Sequence, residues 1–250
     1  MRQKNLITAR GGIIFVVTIS ISLIGIVILY NQLSGTEIIE QDYLYYNNVN
    51  ITWNGWGCFK IKTDNQIIFI DPYDITPEQV EIADIVIITH HHFDHLSLPD
   101  ILNVSEPLTT EIYYPDFCSA NLGDLNSSYN HNIVAPYDNI TVNGISLEFV
   151  PSYDDGTHHV IFGLVGVIID FGETRIFHPG DTKNIPELES INTDIALIPI
   201  YNMEEALEMV TSIKKSSDLK YVIPMHFKDI EDAFEFIQKA ECHSILLKNL

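Results

Sequence analysis

Thr89-His90-His91-His92-Phe93-Asp94-His95 is the stretch whose reading decides the fold of this chain. It directly follows Ile85-Val86-Ile87-Ile88. An apolar run rich in β-branched residues reads as a buried strand, and α/β folds commonly place their chemistry in the loop at a strand's end. Four side chains able to ligate a metal, His90, His92, Asp94 and His95, fall in this one loop. Imidazole suits zinc, iron, nickel and copper, and a carboxylate widens the choice. A mononuclear site needs three or four ligands, so the cluster can begin two sites. His91 lies between two of the candidates and reads as a spacer pointing away.

Other ligand-capable residues border strand-like runs further along. His158 and His159 precede the run Ile161 to Phe171. Arg175-Ile176-Phe177 leads into His178-Pro179-Gly180-Asp181-Thr182, and Tyr221-Val222-Ile223-Pro224 leads into Met225-His226-Phe227. A single histidine in such a place is more often structural than metal-bound. Several of them, in a chain that already carries the first cluster, reverse that expectation. No Ser-His-Asp or Cys-His arrangement, phosphate-binding glycine loop or dinucleotide fingerprint competes.

On these residues the sequence resembles the metallo-β-lactamase fold superfamily of metal-dependent hydrolases. The signature His-x-His-x-Asp-His is present as His90, His92, Asp94 and His95. Supporting marks are Trp53-Asn54-Gly55, Asp71-Pro72-Tyr73, Gly180-Asp181-Thr182 and Pro224-Met225-His226. The lactonase-like branch, which includes ascorbate-6-phosphate lactonase and the phospholipase D that cleaves N-acylethanolamine phospholipids, is the most similar. The resemblance implies an α/β chain folded as a four-layer αββα sandwich. It also implies two divalent metal ions, zinc first and manganese as the alternative. His90, His92 and His158 match the ligands of the first ion, and Asp94, His95 and His226 those of the second. Asp181 matches the bridging carboxylate, and Asp94 and Asp181 would also offset the metal charge and orient the nucleophile. His158 is preferred to His159 because Gly163 and Gly166 then fall where the family places glycines; His159 stays as the alternative. His178 reads as a packed or supporting histidine rather than a ligand.

Three departures stand out. Trp56 takes a place where the family often has histidine. Asp154 follows Pro151-Ser152-Tyr153, where some relatives carry the third ligand of the first metal. The loop after Leu197-Ile198-Pro199-Ile200 is short, running through Tyr201-Asn202 into a helix that begins at Met203.

The chemistry expected of two such ions is hydrolysis, because they lower the pKa of a shared water towards neutrality. The expected substrate is a small ester, lactone or phosphodiester, a small molecule or a lipid derivative. The rivals are a nuclease of the same fold and a catalytically inactive, membrane-tethered binding module. A formal net charge of −21 and the lack of a basic patch disfavour nucleic acid. A nearly complete ligand set disfavours the inactive module.

The N-terminus reads separately. Residues 1–10 carry Arg2, Lys4 and Arg10 and no acid, and Ile13 to Tyr30 is an unbroken uncharged stretch. A spanning helix needs about 20 mainly apolar residues, so residues 11–30 read as a transmembrane anchor, with a cleaved signal peptide as the rival. The positive-inside rule then makes residues 1–10 a cytoplasmic flank and puts the enzyme outside the cytoplasm, membrane-anchored by one pass. Residues 31–49 read as a tether and 50–250 as the hydrolase domain. Within that domain Asn143-Gly144 signals a hairpin between Ile140–Thr141 and Ile145–Val150, and 203–215 and 230–240 have the apolar spacing of amphipathic helices. Cys58, Cys118 and Cys242 are too few and scattered for a disulfide framework.

Overall fold

The structure is a computed structural model that describes residues 8–9, 12–13, 39–123, 125, 127–154, 156–240 and 242–248. The chain divides into two compact units, Met1–Glu37 and Ile38–Leu250. In the first unit, strand β1 (Thr8–Ala9) pairs antiparallel with β2 (Gly12–Ile13).

That pairing corrects the expectation of an N-terminal transmembrane helix. Among the described residues no helix is long and apolar enough to cross a membrane. Gly12 and Ile13, near the start of the expected span, are extended instead. Glycine is a poor helix former and isoleucine is β-branched, so local propensity does not oppose a strand there. The expectation of a membrane-anchored, extracytoplasmic enzyme falls with the helix. The remainder of the expected span and the first part of the tether, residue 11 and residues 14–38, lie outside the described residues.

The second unit is built on two mixed sheets. Its first half contributes β3 (Ile39–Gln41), β4 (Leu44–Tyr46), β5 (Val49–Trp53), β6 (Phe59–Lys62), β7 (Ile67–Ile70), β8 (Ile85–Ile87), β9 (Glu111–Pro115) and β10 (Asn130–Val134). Strands β4 to β10 form one sheet in reverse sequence order, antiparallel from β4 to β7 and parallel from β7 to β10. The second half contributes β11 (Asn139–Val142), β12 (Ile145–Pro151), β13 (Val165–Asp170), β14 (Arg175–His178), β15 (Ile195–Pro199) and β16 (Tyr221–Met225). These six follow sequence order in the other sheet, with β14, β15 and β16 parallel. Strand β17 (Ile245–Leu247) pairs with β3.

Burial explains why these residues form these strands. Along β12 buried and half-buried residues alternate strictly, the period of a strand with one face in the core. Strand β15, Ile-Ala-Leu-Ile-Pro, is buried at every position because both of its faces are covered. The inner faces of the two sheets share one core, in which Ile51, Phe59 and Ile85 pack with Phe149, Val167 and Leu197. Outside the second sheet, Phe177 and Ile198 pack on the helices Met203–Ile213 and Ile230–Lys239. Outside the first, Val86 and Ile112 pack with Ile101 of the helix Leu98–Asn103. The layers are therefore helix, sheet, sheet, helix. Each large side chain fully buried this way is worth about 1.5–3 kcal/mol.

Local signals behave as their chemistry requires. Asn143 and Gly144 both take positive φ, 52° and 83°, and close a two-residue hairpin that pairs Val142 with Ile145. Asn202 caps the helix Met203–Ile213 by accepting hydrogen bonds from the backbone N–H groups of Glu204 and Glu205. Two stretches differ from expectation. Val160–Phe162 is a 3-10 turn that ends on left-handed Gly163, so the strand begins at Val165 rather than Ile161. Strand β4, within the expected tether, buries Leu44, and Val49 beside it is buried too. All three cysteines are free.

Gly166 shows how tightly the second sheet is closed beneath the ligand loops. A Cβ there would lie 2.8 Å from the carbonyl oxygen of His178 and 2.9 Å from Cα of Pro179. Because the obstacle is backbone, Gly166→Ala should cost about 1–3 kcal/mol of stability in a denaturant titration; an unchanged midpoint would contradict this packing.

Candidate metal centre

Most of the ligand-capable residues lie just beyond the C-terminal ends of strands. Strand β7 delivers Asp71, β8 delivers Thr89 to His95, β12 delivers Asp154 to His158, β14 delivers Asp181, and β16 delivers His226. The backbone turns sharply at three of these points: φ is +47° at Asp71, +57° at His226 and +64° at Gly180. Left-handed non-glycine residues cost about 1–3 kcal/mol each and cluster at functional sites.

Two groups of side chains converge. In the first, Nε2 of His90 is 3.2 Å and Nε2 of His158 is 3.1 Å from Nδ1 of His92. In the second, Nε2 of His226 is 3.3 Å from Oδ2 of Asp94, and His95 completes the set. Asp181 stands between them. Its Oδ2 is 3.2 Å from Nε2 of His226, 3.9 Å from that of His90 and 4.0 Å from that of His158. Its Oδ1 is 3.3 Å from Nε2 of His95.

The remaining histidines are placed elsewhere. His159 is exposed, and its Nδ1 accepts the backbone N–H of Ile161 at the start of the 3-10 turn. His178 is buried with both ring nitrogens engaged. Its Nε2–H donates to the carbonyl of Gly57 (2.9 Å) and its Nδ1 accepts from the N–H of Gly180 (3.1 Å). His91 packs its ring on Phe117, with centroids 4.7 Å apart.

Three residues to which sequence reasoning gave no role set the orientation of the ligands. The buried carboxylate of Asp71 accepts from Thr89 N–H (2.7 Å), Thr89 Oγ1–H (2.6 Å) and His95 Nδ1–H (2.7 Å). Thr89 Oγ1 in turn accepts from His90 Nδ1–H at 2.9 Å. Asp154 does the same for His158: Oδ2 accepts from Nδ1–H at 2.9 Å, and Oδ1 accepts the N–H groups of Gly156 (2.6 Å) and His158 (2.9 Å). Each bond places a proton on Nδ1 and turns Nε2 towards the cluster, the arrangement by which a carboxylate or hydroxyl orients a histidine able to ligate a metal. Asp71, His90 and His95 also lie close enough to count as a ligand group. Asp71 already accepts three hydrogen bonds, so it orients His95 rather than competing for an ion. A detectable signal for Asp154 was its i, i+4 spacing to His158 within a glycine-containing loop.

The charges are balanced inside the cluster. Burial opposes ionisation of Asp181, but His95 and His226 outweigh it and hold the carboxyl well below its usual range. Burial opposes protonation of His226, yet the carboxylates of Asp181 and Asp94 raise its pKa to about 9. His95 is likewise held charged by Asp181 and Asp71 against the effect of burial. His90 moves the other way, pressed well below its usual range by burial and then by His95, so it stays neutral with a free lone pair.

These residues fit metal ions. His95 Nε2, Asp181 Oδ1 and His226 Nε2 are buried and make no hydrogen bond. They face one another and Asp94 across 3.2–3.3 Å without closing a hydrogen bond, and cations held in the cluster would satisfy all three. Three imidazoles on one side and two carboxylates with two imidazoles on the other form donor sets for borderline divalent metals.

Two mixed sheets carrying such a cluster on the loops at their strand ends define a metallo-hydrolase type of α/β protein. Residues 50–226 match the family described as the Beta-lactamase superfamily domain, and the chain belongs to that family. A UPF0173 metal-dependent hydrolase of Methanosphaerula palustris is 27% identical over 193 residues, covering 72% of this chain and 84% of the relative. Igni18, a metallo hydrolase from Ignicoccus hospitalis, shares the fold with a TM-score of 0.65 at 21% identity, covering 80% of this chain and 95% of that one. CmlA, a diiron β-hydroxylase from Streptomyces venezuelae, aligns with a TM-score of 0.62 at 15% identity over 83% of this chain and 53% of its own. The protein is thus a metal-dependent hydrolase of this superfamily, while the fold by itself supports more than one chemistry.

Two outcomes follow from the geometry. Asp154→Ala should weaken metal binding at the three-histidine group about 10–100-fold in chelator competition, with Asp154→Asn intermediate because it keeps an acceptor but loses the charge. Equal affinities in all three proteins would remove Asp154 from this role. Metal uptake should also expel protons. With a raised pKa, metal-free His226 is protonated below about 9 and must lose its proton to ligate, so affinity falls as pH falls. Calorimetry near neutral pH in buffers of different ionisation enthalpy should report proton release; buffer-independent heat would contradict it.

Proposed function

We propose that the protein is a two-metal hydrolase of small esters, lactones or phosphodiesters. The observation that carries this is the convergence of two ligand groups on one carboxylate, Asp181. In this reading His90, His92 and His158 hold one divalent ion, Asp94, His95 and His226 hold the other, and Asp181 lies between. Zinc suits the imidazole-rich set, with manganese as the alternative. Ions held there supply a Lewis acid and bring the pKa of a water molecule towards neutrality.

The chain's own residues supply the rest. Asp181 and Asp94 stay ionised and offset the positive charge. Their carboxylates accept a hydrogen bond from the attacking water and so aim its lone pair. His95, fixed by Asp71, and His158, fixed by Asp154, keep the donor atoms in place without reorganisation, which is how a preorganised site lowers a barrier. Thr157 and Tyr201 line the open side. The acidic chain, at −21, opposes a polyanionic nucleic-acid substrate.

Metal analysis after reconstitution should find two divalent ions per chain. His92→Ala and Asp181→Ala should each reduce turnover at least about 100-fold, the scale of losing an essential electrostatic contribution, with the circular dichroism spectrum kept. Near-normal turnover in either variant, or one ion per chain at saturation, would overturn the assignment.

A further inference from the structure

A cleft of about 440 Å³ opens over the two ligand groups. Its walls beyond the ligands are Phe93, Asp154, Thr157 and Tyr201. Phe93 is 73% exposed, although it sits in sequence between the ligand residues His92 and Asp94. Its ring meets Tyr73 edge-on with centroids 5.8 Å apart and leaves the cleft side uncovered. Tyr201 is 46% exposed, stands edge-on to His226 at 5.7 Å, and donates its hydroxyl to the carbonyl of Asp181 at 3.2 Å. Its ring is therefore held in place, and its hydroxyl is committed to the backbone.

A single exposed apolar residue needs no explanation. Two aromatic rings on the wall of one cleft, one of them inside the ligand loop, do. Charge points the same way. Among the described residues no lysine or arginine lines this cleft, whereas Asp94, Asp154 and Asp181 do. Sites built for phosphate usually grip it with guanidinium or ammonium groups. With ions held at Asp94 and Asp181, an anionic substrate would find no guanidinium or ammonium beyond them, only Asp154 and two aromatic walls. An uncharged carbonyl compound with an apolar substituent finds a surface it can bury.

We propose that the cleft selects an uncharged ester or lactone whose aromatic or aliphatic acyl group seats between Phe93 and Tyr201, with its carbonyl over the metal ligands; this rests on the hydrolase reading above. In the reaction, water adds to the carbonyl carbon, the acyl C–O bond breaks, and the departing alkoxide takes a proton from that water. The products are a carboxylic acid and an alcohol, or the hydroxy acid from a lactone. Of the classes named for this enzyme, the proposal chooses the carboxylic esters over the phosphodiesters.

Hydroxamates test the seat without turnover, since their two oxygens chelate metal whatever side group they carry. In the full-length, metal-reconstituted protein, benzohydroxamate should bind at least about tenfold more tightly than acetohydroxamate, from burial of the ring. Phe93→Ala should narrow that ratio, and Phe93→Leu should narrow it less, which guards against a variant that merely perturbs the loop. In parallel, p-nitrophenyl hexanoate should have a higher kcat/KM than bis-p-nitrophenyl phosphate. Equal affinity for the two hydroxamates, no binding of either, or a preference for the phosphodiester would overturn the proposal. A wild-type ratio as expected without turnover of any substrate would keep the seat and overturn the hydrolase reading. Turnover of the phosphodiester alone would do the reverse.

Discussion

Asp71 is the group on which the geometry of the site depends. Its side chain is fully buried, and a buried carboxylate is tolerable when both oxygens are hydrogen-bonded. Here Thr89 gives two donors and His95 one. The bond to His95 fixes a candidate ligand of the second group directly. The bond to Thr89 fixes His90, a candidate ligand of the first group, through one hydroxyl. In a low-dielectric interior such a chain of hydrogen bonds is polarised along its length. Asp71 can do this because β7 and β8 run parallel in fixed register, with Ile70 opposite Ile87, and its own N–H continues that ladder to the carbonyl of Ile87. A slip of one residue would turn every side chain on the strand to the other face and separate Asp71 from both partners.

Close packing reinforces the same positions. A Cβ on Gly57 would lie 2.5 Å from Cε1 of His95, so glycine is what lets the ring stand against the chain there. The same glycine's carbonyl takes the Nε2 proton of His178, and the N–H of Gly180, just before Asp181, reaches the other nitrogen of that ring. His178 is thus a strut between the two sheets, and it ties the Gly57 loop to the loop of Asp181. On the open side, Trp56 and Tyr201 both stand edge-on to His226 and confine its ring.

The ligand cluster His90 to His95 was legible because its density is far from chance and it follows an apolar strand. Asp181 and His226 were legible through the order and spacing of motifs rather than through any property of their own. The preference for His158 over His159 rested only on the places of Gly163 and Gly166, because neighbours in a loop differ in direction and not in composition; the hydrogen bonds of Asp154 turn His158 towards the cluster. The role of Asp71 was hidden for a related reason. An acid that ends a strand looks like any turn residue, and its partners lie 18 and 24 positions further on. Strands β4 and β10 were missed because β4 is only three residues long and β10 carries Asn130 and Asn132 on its half-buried side and Ile133 on its exposed side, the reverse of the usual alternation. The apolar run from Ile161 misled in the opposite sense. Gly163 breaks it, and Ile161 is left exposed on the rim.

The balance of charge inside the cluster bears on how folding and metal binding are coupled. Asp94 and Asp181 cannot be left as unpaired buried anions, and in the absence of metal their partners are the protons on His95 and His226. Proton and metal are therefore alternative cations for one set of carboxylates. Small metal-binding domains unfold without their ion because nothing else holds them together. In this protein the two sheets are held by a shared apolar core, the helices are packed against their outer faces, and the loops of the cluster are pinned by Asp71, Asp154 and His178. The contacts that build the fold are thus largely distinct from the donor atoms that converge around Asp181.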